Sequence, residues 1–180
     1  AVNFTLYYET LCPYCRGFIK GELWKAFSSI LSIMNLTVVP YGNANETYSA
    51  STQSWIFQCQ HGPHECWGNL LHSCLIYYWP SIEQHLPFIH CMESNDQDDI
   101  KLAAIKCAKQ FKAPYNQLMS CMNSTLGNQL QHANAVQTES LTPKKQHVPW
   151  VTLNGVHTDQ IENDALSDLV GLICRTYTVR

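Results

Sequence analysis

Cys12-Pro13-Tyr14-Cys15 falls where one hydrophobic rhythm gives way to another, and that placement limits the folds open to the chain. Residues 3–8, Asn-Phe-Thr-Leu-Tyr-Tyr, have the β-branched and aromatic bias of a strand. After them Tyr14, Phe18, Leu23, Phe27, Ile30 and Met34, with Leu31 beside Ile30, recur at three- to five-residue steps, which predicts a long amphipathic helix. Pro13 suits the first position of that helix, where its missing N–H costs nothing. Residues 36–41 read as a second short strand, cut off by Pro40 and Gly42. The first forty residues therefore read β-α-β, with the cysteine pair at the strand-to-helix junction.

The other end returns to sheet. Residues 148–153, Val-Pro-Trp-Val-Thr-Leu, read as a strand, Asn154-Gly155 as a two-residue hairpin turn and residues 156–158 as the return strand. Asp164 is expected to cap a final helix with Leu166, Leu169, Val170 and Ile173 on one face. Between the ends, residues 42–145 hold most of the cysteines and several helical patterns. Ile100, Ala104, Cys107, Ala108 and Phe111 share one face. A further helix is expected from Pro114, carrying Leu118, Cys121 and Met122, and Pro143-Lys144-Lys145 reads as an exposed loop.

The spacing of the cysteine pair carries chemistry. A thiol attacks a disulfide only as thiolate, and a helix N-terminus offers partial positive charge and free N–H groups that favour the thiolate. Cys12 precedes that N-terminus, and Cys15 lies one turn inward, able to reach the same sulfur. Cys12 can then attack a substrate disulfide, and Cys15 can displace the reduced substrate from the mixed disulfide. A structural disulfide rarely spans so short a loop at such a junction, and a four-cysteine zinc site needs a second Cys-x-x-Cys, which the sequence lacks. Val148-Pro149, just before a strand, fits the cis-proline loop that thioredoxin-like folds set against the redox pair, where backbone can pair with an extended substrate. The fold class expected is α/β, a thioredoxin-like core from residues 1–41 and 146–180. A helical, cysteine-rich, disulfide-bonded insertion over 42–145 separates its βαβ and ββα halves.

Composition sets the compartment. A chain of 180 residues fits one domain with an insertion and does not need disulfides merely to fold. It nevertheless has nine cysteines and four Asn-x-Ser/Thr acceptor sequences, at Asn3, Asn35, Asn45 and Asn123. Together these point to the secretory pathway. A formal charge of −3 without long charge runs argues against a nucleic-acid binder, and no apolar run approaches the roughly 20 residues of a membrane span. The opening Ala-Val-Asn-Phe-Thr is not a signal peptide, so the chain reads as a processed form.

Longer motifs narrow the reading. Leu-Tyr-Tyr-Glu-Thr-Leu-Cys-Pro-Tyr-Cys at 6–15, Val-Pro-Tyr-Gly-Asn-Ala at 39–44, His132-Ala133-Asn134-Ala135 and Val148-Pro149-Trp150-Val151 stand with a distinctive middle segment. That segment is Cys59-Gln60-His61-Gly62-x-x-Glu65-Cys66-x-x-Asn69-x-x-x-x-Cys74. In this combination the chain resembles the gamma-interferon-inducible lysosomal thiol reductase family. The resemblance implies a soluble glycoprotein that reduces protein disulfides in acidic endosomes or lysosomes, with Cys12 and Cys15 as its redox pair. Pro13-Tyr14 departs from the small residues found there in well-known mammalian members. Disulfide-containing, unfolded proteins are the implied substrates and a small thiol the implied reductant, with no cofactor and no metal.

The remaining signals leave alternatives. Cys59, His61, His64 and Cys66 could hold zinc, but an oxidising compartment favours disulfides with exposed histidines. Cys59 can pair with Cys66 or Cys74, and the middle segment can shape a substrate surface or clasp the insertion, the clasp being favoured. Outside the redox pair, Cys59, Cys66, Cys74, Cys91, Cys107, Cys121 and Cys174 give three bridges and one odd thiol. Cys107 and Cys121, on consecutive helices, are expected to be joined. Trp55, Trp67, Tyr77, Tyr78 and Trp79 are expected in the core, and His132 on a helix surface rather than as a proton donor. Work in an acidic lumen requires Cys12 to be substantially thiolate at pH 5. The competing functions are a glutaredoxin-like or oxidase-type enzyme, and a secreted glycoprotein that uses the same fold for binding.

Overall fold

In a computed structural model, which describes residues 1–95 and 99–177, β1 (Val2–Tyr8) is the middle strand of a three-stranded sheet. It runs parallel to β2 (Met34–Pro40), with Val2 opposite Met34 and Tyr8 opposite Pro40. On its other edge it runs antiparallel to β5 (Trp150–Leu153), with Phe4 opposite Leu153. Alternation along the strands decides the faces. Val2, Phe4, Leu6 and Tyr8 enter the main core with Leu36, Val38 and Val151, whereas Tyr7, Val39 and Trp150 cluster separately.

The helix expected after Cys12 is segmented. It consists of α1 (Pro13–Phe18), a π-helical turn (Ile19–Leu23), α2 (Trp24–Ile30) and a closing 3₁₀ turn (Leu31–Ile33). Crossing from β1 to β2 through these segments completes the β-α-β unit. α8 (Asp159–Thr176) packs against β5 and the π-helical turn. Two expectations change here. The return strand at 156–158 shrinks to one bridge between Leu153 and Val156, because the chain enters α8 directly after the left-handed pair Asn154 and Gly155. Thr158, not Asp164, caps α8: its Oγ1 accepts the Ile161 N–H at 3.1 Å, while Asp164 lies inside the helix. Residues 178–180 of the expected core lie outside the described residues.

Between β2 and β5 come the hairpin β3 (Asn45–Ser49) and β4 (Ser54–Gln58), then α3 (Pro63–Tyr78), α4 (Ile82–Ser94), α5 (Ile100–Phe111), α6 (Tyr115–Met122) and α7 (Thr125–Glu139). The hairpin has no counterpart in the sequence reading, because neither face is buried deeply enough to impose alternation. α7 holds it instead. Asn128 bonds both the N–H and the carbonyl of Trp55, at 2.9 and 2.7 Å, and His132 lies flat on the Trp55 ring at 3.9 Å. α3 is the hub, packed on α6, α7 and β2. Its buried Ser73 donates to Gln131 at 2.6 Å, and Gln131 donates to the Pro40 carbonyl at 3.2 Å, so α3, α7 and the end of β2 share one polar junction.

Three disulfides staple this region: Cys59–Cys66, Cys74–Cys121 and Cys91–Cys107. The expected Cys107–Cys121 bridge is absent, since α5 packs on α4 while α6 turns onto α3, and each cysteine meets the helix its own helix faces. Cys174, a candidate for bridging, is free and exposed on α8. The aromatic cluster is also less buried than expected: Trp55, Trp67, Tyr78 and Trp79 are half-buried, and Tyr77 is exposed.

Candidate active site

After β1 the chain turns through Glu9, Thr10 and Leu11 into α1. Cys12 is the residue that caps α1: its backbone is extended and its Sγ accepts the Cys15 N–H at 3.3 Å, closing the turn that Pro13 begins. Proline at this position removes an N–H that would otherwise need a partner. Cys15, one turn in, is fully buried, and Cys12 keeps 4 % of its surface open. The loop before β5 arrives alongside. Val148–Pro149 is cis, and the Val148 carbonyl lies 4.0 Å from Cys12 Sγ.

The two sulfurs differ in electrostatics. The Cys12 pKa is pulled down to about 6, first by a hydrogen bond from the Cys15 thiol and then by the amides of Cys15 and Tyr14, with the charge of His61 adding to them. Burial pushes the Cys15 thiol far up, and the nearby Cys12 sulfur adds to the rise. Arg16, the cation beside the motif, is spent elsewhere. Its Nε lies 3.5 Å from Glu93 Oε2 on α4, and it donates to the Glu93 and Asn95 carbonyls. Glu93 is buried, and desolvation raises its pKa well above the usual carboxylate range despite Arg16.

A second group of polar side chains holds the turn before Cys12. Glu65, at the start of α3, accepts the Leu11 N–H at 3.1 Å and the His61 N–H at 3.0 Å, and its backbone carbonyl accepts the Thr10 hydroxyl. Asn69, one turn on, accepts the Thr10 N–H at 3.1 Å and donates to the Tyr41 carbonyl. His61 Nδ1 lies 2.7 Å from Glu65 Oε2 and 3.3 Å from Glu9 Oε1, while Glu9 Oε2 accepts the Asn43 N–H at 2.8 Å. Burial lifts the Glu9 pKa to about 7, and the charges of Glu65 and Cys12 push the same way. The ligand atoms of Glu9, His61 and Glu65 lie within 4.8 Å of one another, close enough to share a metal ion. His61 is hydrogen-bonded to Glu65, whereas Glu9 Oε1, buried and without a hydrogen bond, meets His61 only at ion-pair distance.

A family model described as gamma interferon inducible lysosomal thiol reductase (GILT) matches residues 3–111. The chain belongs to this family. The gamma-interferon-inducible lysosomal thiol reductase of Carassius auratus is 39% identical over 178 residues, covering 98% of this chain and 68% of the relative. The Mus musculus protein of the same name is 36% identical over the same shares, 98% and 68%. Among solved structures, Chlamydia trachomatis DsbA superposes with a TM-score of 0.67 at 11% identity, over 99% of this chain and 89% of that one. A thioredoxin-like oxidoreductase from Silicibacter pomeroyi gives 0.58 at 11% identity, over 98% and 88%. At such identities the likeness shows the fold alone, and that fold is thioredoxin-like. As a GILT-family chain built on this fold, the protein is a thiol–disulfide oxidoreductase.

The GILT signature has a physical role beyond clasping the insertion. Its cysteines Cys59 and Cys66 close the short loop that carries His61, and its Glu65 and Asn69 bind the backbone leading to Cys12. Because both cysteines are spent in that bridge, the expected disulfide reading of the segment replaces the zinc one. His132 is occupied on α7 by the Trp55 ring and by Glu46 at 2.9 Å. All four acceptor asparagines are exposed, and Asn35 Nδ2 donates to Asn3 Oδ1 at 2.9 Å where β2 and β1 begin. The sequence reading missed Glu9 and Glu93. Glu9 had a signal, as the one charge in an otherwise uncharged run from Leu6 to Leu11. Glu93 had none, since its electrostatic interaction with Cys12 depends on how α4 folds back.

Proposed function

We propose that this GILT-family chain reduces disulfides of unfolded proteins in an endosomal or lysosomal lumen, with Cys12 as attacking thiolate and Cys15 as resolving thiol. The asymmetry of the two sulfurs supports the reading. Cys12 is pulled down to about 6, so it supplies thiolate in mild acid, while Cys15 stays protonated behind it. The Cys12 thiolate attacks one sulfur of the substrate disulfide; the substrate S–S bond breaks and its other sulfur leaves as thiolate, taking a proton from solvent. Cys15 then gives up its proton and attacks Cys12 Sγ, forming the Cys12–Cys15 disulfide and releasing the second substrate thiol. A small dithiol or two monothiols return the two electrons. Among the described residues no helix is long and apolar enough to cross a membrane.

Insulin reduction followed across pH 4–8, with and without glutathione, tests the proposal. Turnover at pH 5 that is lost in Cys12→Ser supports it. Turnover only on glutathione mixed disulfides favours a glutaredoxin-like enzyme, and no turnover favours a binding protein.

A further inference from the structure

We propose that the groove between α1 and α8 receives an apolar side chain of an extended polypeptide substrate, two residues from the half-cystine that Cys12 attacks. The proposal deepens the reductase reading above and rests on it.

The groove has a volume of about 650 Å³ and begins at the redox motif itself, with Pro13 and Tyr14 on one rim and Val148–Pro149 at its end. It is therefore continuous with the place where a substrate sulfur must arrive. Its helical wall is formed by Phe18 between Gly17 and Gly21. Glycine is the poorest helix former after proline, and these two stand four apart on one face. Neither is required by backbone conformation or by crowding. A Cβ on Gly17 or Gly21 would meet nothing within 4 Å, whereas one on Gly68 would lie 2.5 Å from Ile100. What the bare backbone does is keep this wall recessed.

The rims leave apolar surface uncovered: Tyr14 is 80% exposed and Leu166, across the groove on α8, 42%. Its polar lining is His147, whose Nε2 meets Glu162 Oε2 at 2.6 Å, and Glu22, whose Oε2 accepts the Leu169 N–H at 3.0 Å. An extended segment pairing with the Val148 backbone points its half-cystine at Cys12 Sγ, 4.0 Å from the Val148 carbonyl. In extended chain, side chains two apart point the same way, roughly 7 Å along. The neighbour of the half-cystine on that face enters the groove.

The test is a set of disulfide-linked peptides, alike except for Leu, Phe, Ser or Asp two residues from the half-cystine, reduced at pH 5. Wild type should favour Leu and Phe by roughly tenfold in kcat/KM, carried mainly by KM. Gly21→Leu, whose Cβ would meet nothing within 4 Å, places apolar bulk on this wall and should cut that preference to about twofold or less. Leu166→Asp on the opposite wall gives the same readout should Gly21→Leu fold poorly. Equal kcat/KM for all four peptides in wild type, or a preference that survives both variants, overturns the groove while leaving the reductase intact. Failure of every peptide to be reduced removes the reductase reading and the groove with it.

Discussion

Glu65 Oε2 accepts the Leu11 N–H at 3.1 Å across 54 positions of sequence, so a side chain of α3 holds the turn that delivers Cys12. The same carboxylate also binds His61 through its backbone and ring, and its side chain is fully buried. Glu65→Ala leaves those donors without an acceptor in a water-poor site, at a cost of about 1–3 kcal/mol for each group left unpaired. Urea unfolding should show a loss in that range, with turnover falling even where the protein remains folded. Glu65→Gln keeps one acceptor oxygen and should lie between the two.

The Cys12 pKa of about 6 revises the expectation of a largely thiolate residue at pH 5. It implies roughly a tenth as thiolate there, still about three-hundredfold more than an ordinary thiol with a pKa near 8.5. Iodoacetamide labelling of the reduced protein should have its midpoint near pH 6. Cys15→Ala, which removes the largest of the influences that pull Cys12 down, should raise the midpoint by at least about one pH unit. An unmoved midpoint would assign the depression to the backbone amides and the charge of His61.

Cys15→Ser should accumulate mixed disulfides with substrate through Cys12, because the nucleophile remains and the resolving thiol is gone. Mass spectrometry of the trapped species reads this out. Trapping by Cys12→Ser instead would reverse the two roles.

Glu9 makes the fold sensitive to pH in a stated direction. Its pKa is raised from 4.5 to about 7, so from pH 4.5 to 7 the folded chain holds a proton that the unfolded chain has released. The stabilisation is complete below 4.5 and lost as pH rises through 7. Glu9→Gln keeps an acceptor for Asn43 and removes the titration. Its stability relative to wild type should therefore rise between pH 5 and pH 8, measured by urea midpoints at both. In acid a neutral Glu9 also removes one charge that opposes the Cys12 thiolate.

Peptide mapping without reductant should recover Cys59–Cys66, Cys74–Cys121 and Cys91–Cys107, with Cys174 alkylated in the native protein. A Cys107–Cys121 peptide would contradict the packing of α5 on α4. Chain entropy ranks the bridges. Cys74–Cys121, spanning 47 positions, should contribute about 4 kcal/mol, against about 2.5 for the 7 of Cys59–Cys66.

The redox turn was legible because its signals are local: a strand pattern, Pro13 at a helix start, and two cysteines one turn apart. Pairing among the other cysteines was not, because it depends on which helix each helix faces. Cys107 and Cys121 sat on the apolar faces of consecutive helices and ended on different partners. The hairpin at Asn45–Ser49 and Ser54–Gln58 escaped for the opposite reason, with Asn128 and His132 of α7 fixing strands that carry little pattern of their own. Asn154-Gly155 was read correctly as a tight turn, yet Thr158 capped α8 before a return strand could form. Glu65 and Asn69 stood in a recognised motif, but only the fold shows that they reach the amides before Cys12.

Asn3 and Asn35 open β1 and β2, whereas Cys12 follows the far end of β1. The seven residues of that strand put roughly 23 Å between the two poles. A sugar chain carried on either asparagine would therefore stand at the pole away from Cys12. A disulfide could then reach Cys12 without pushing through carbohydrate on those two asparagines.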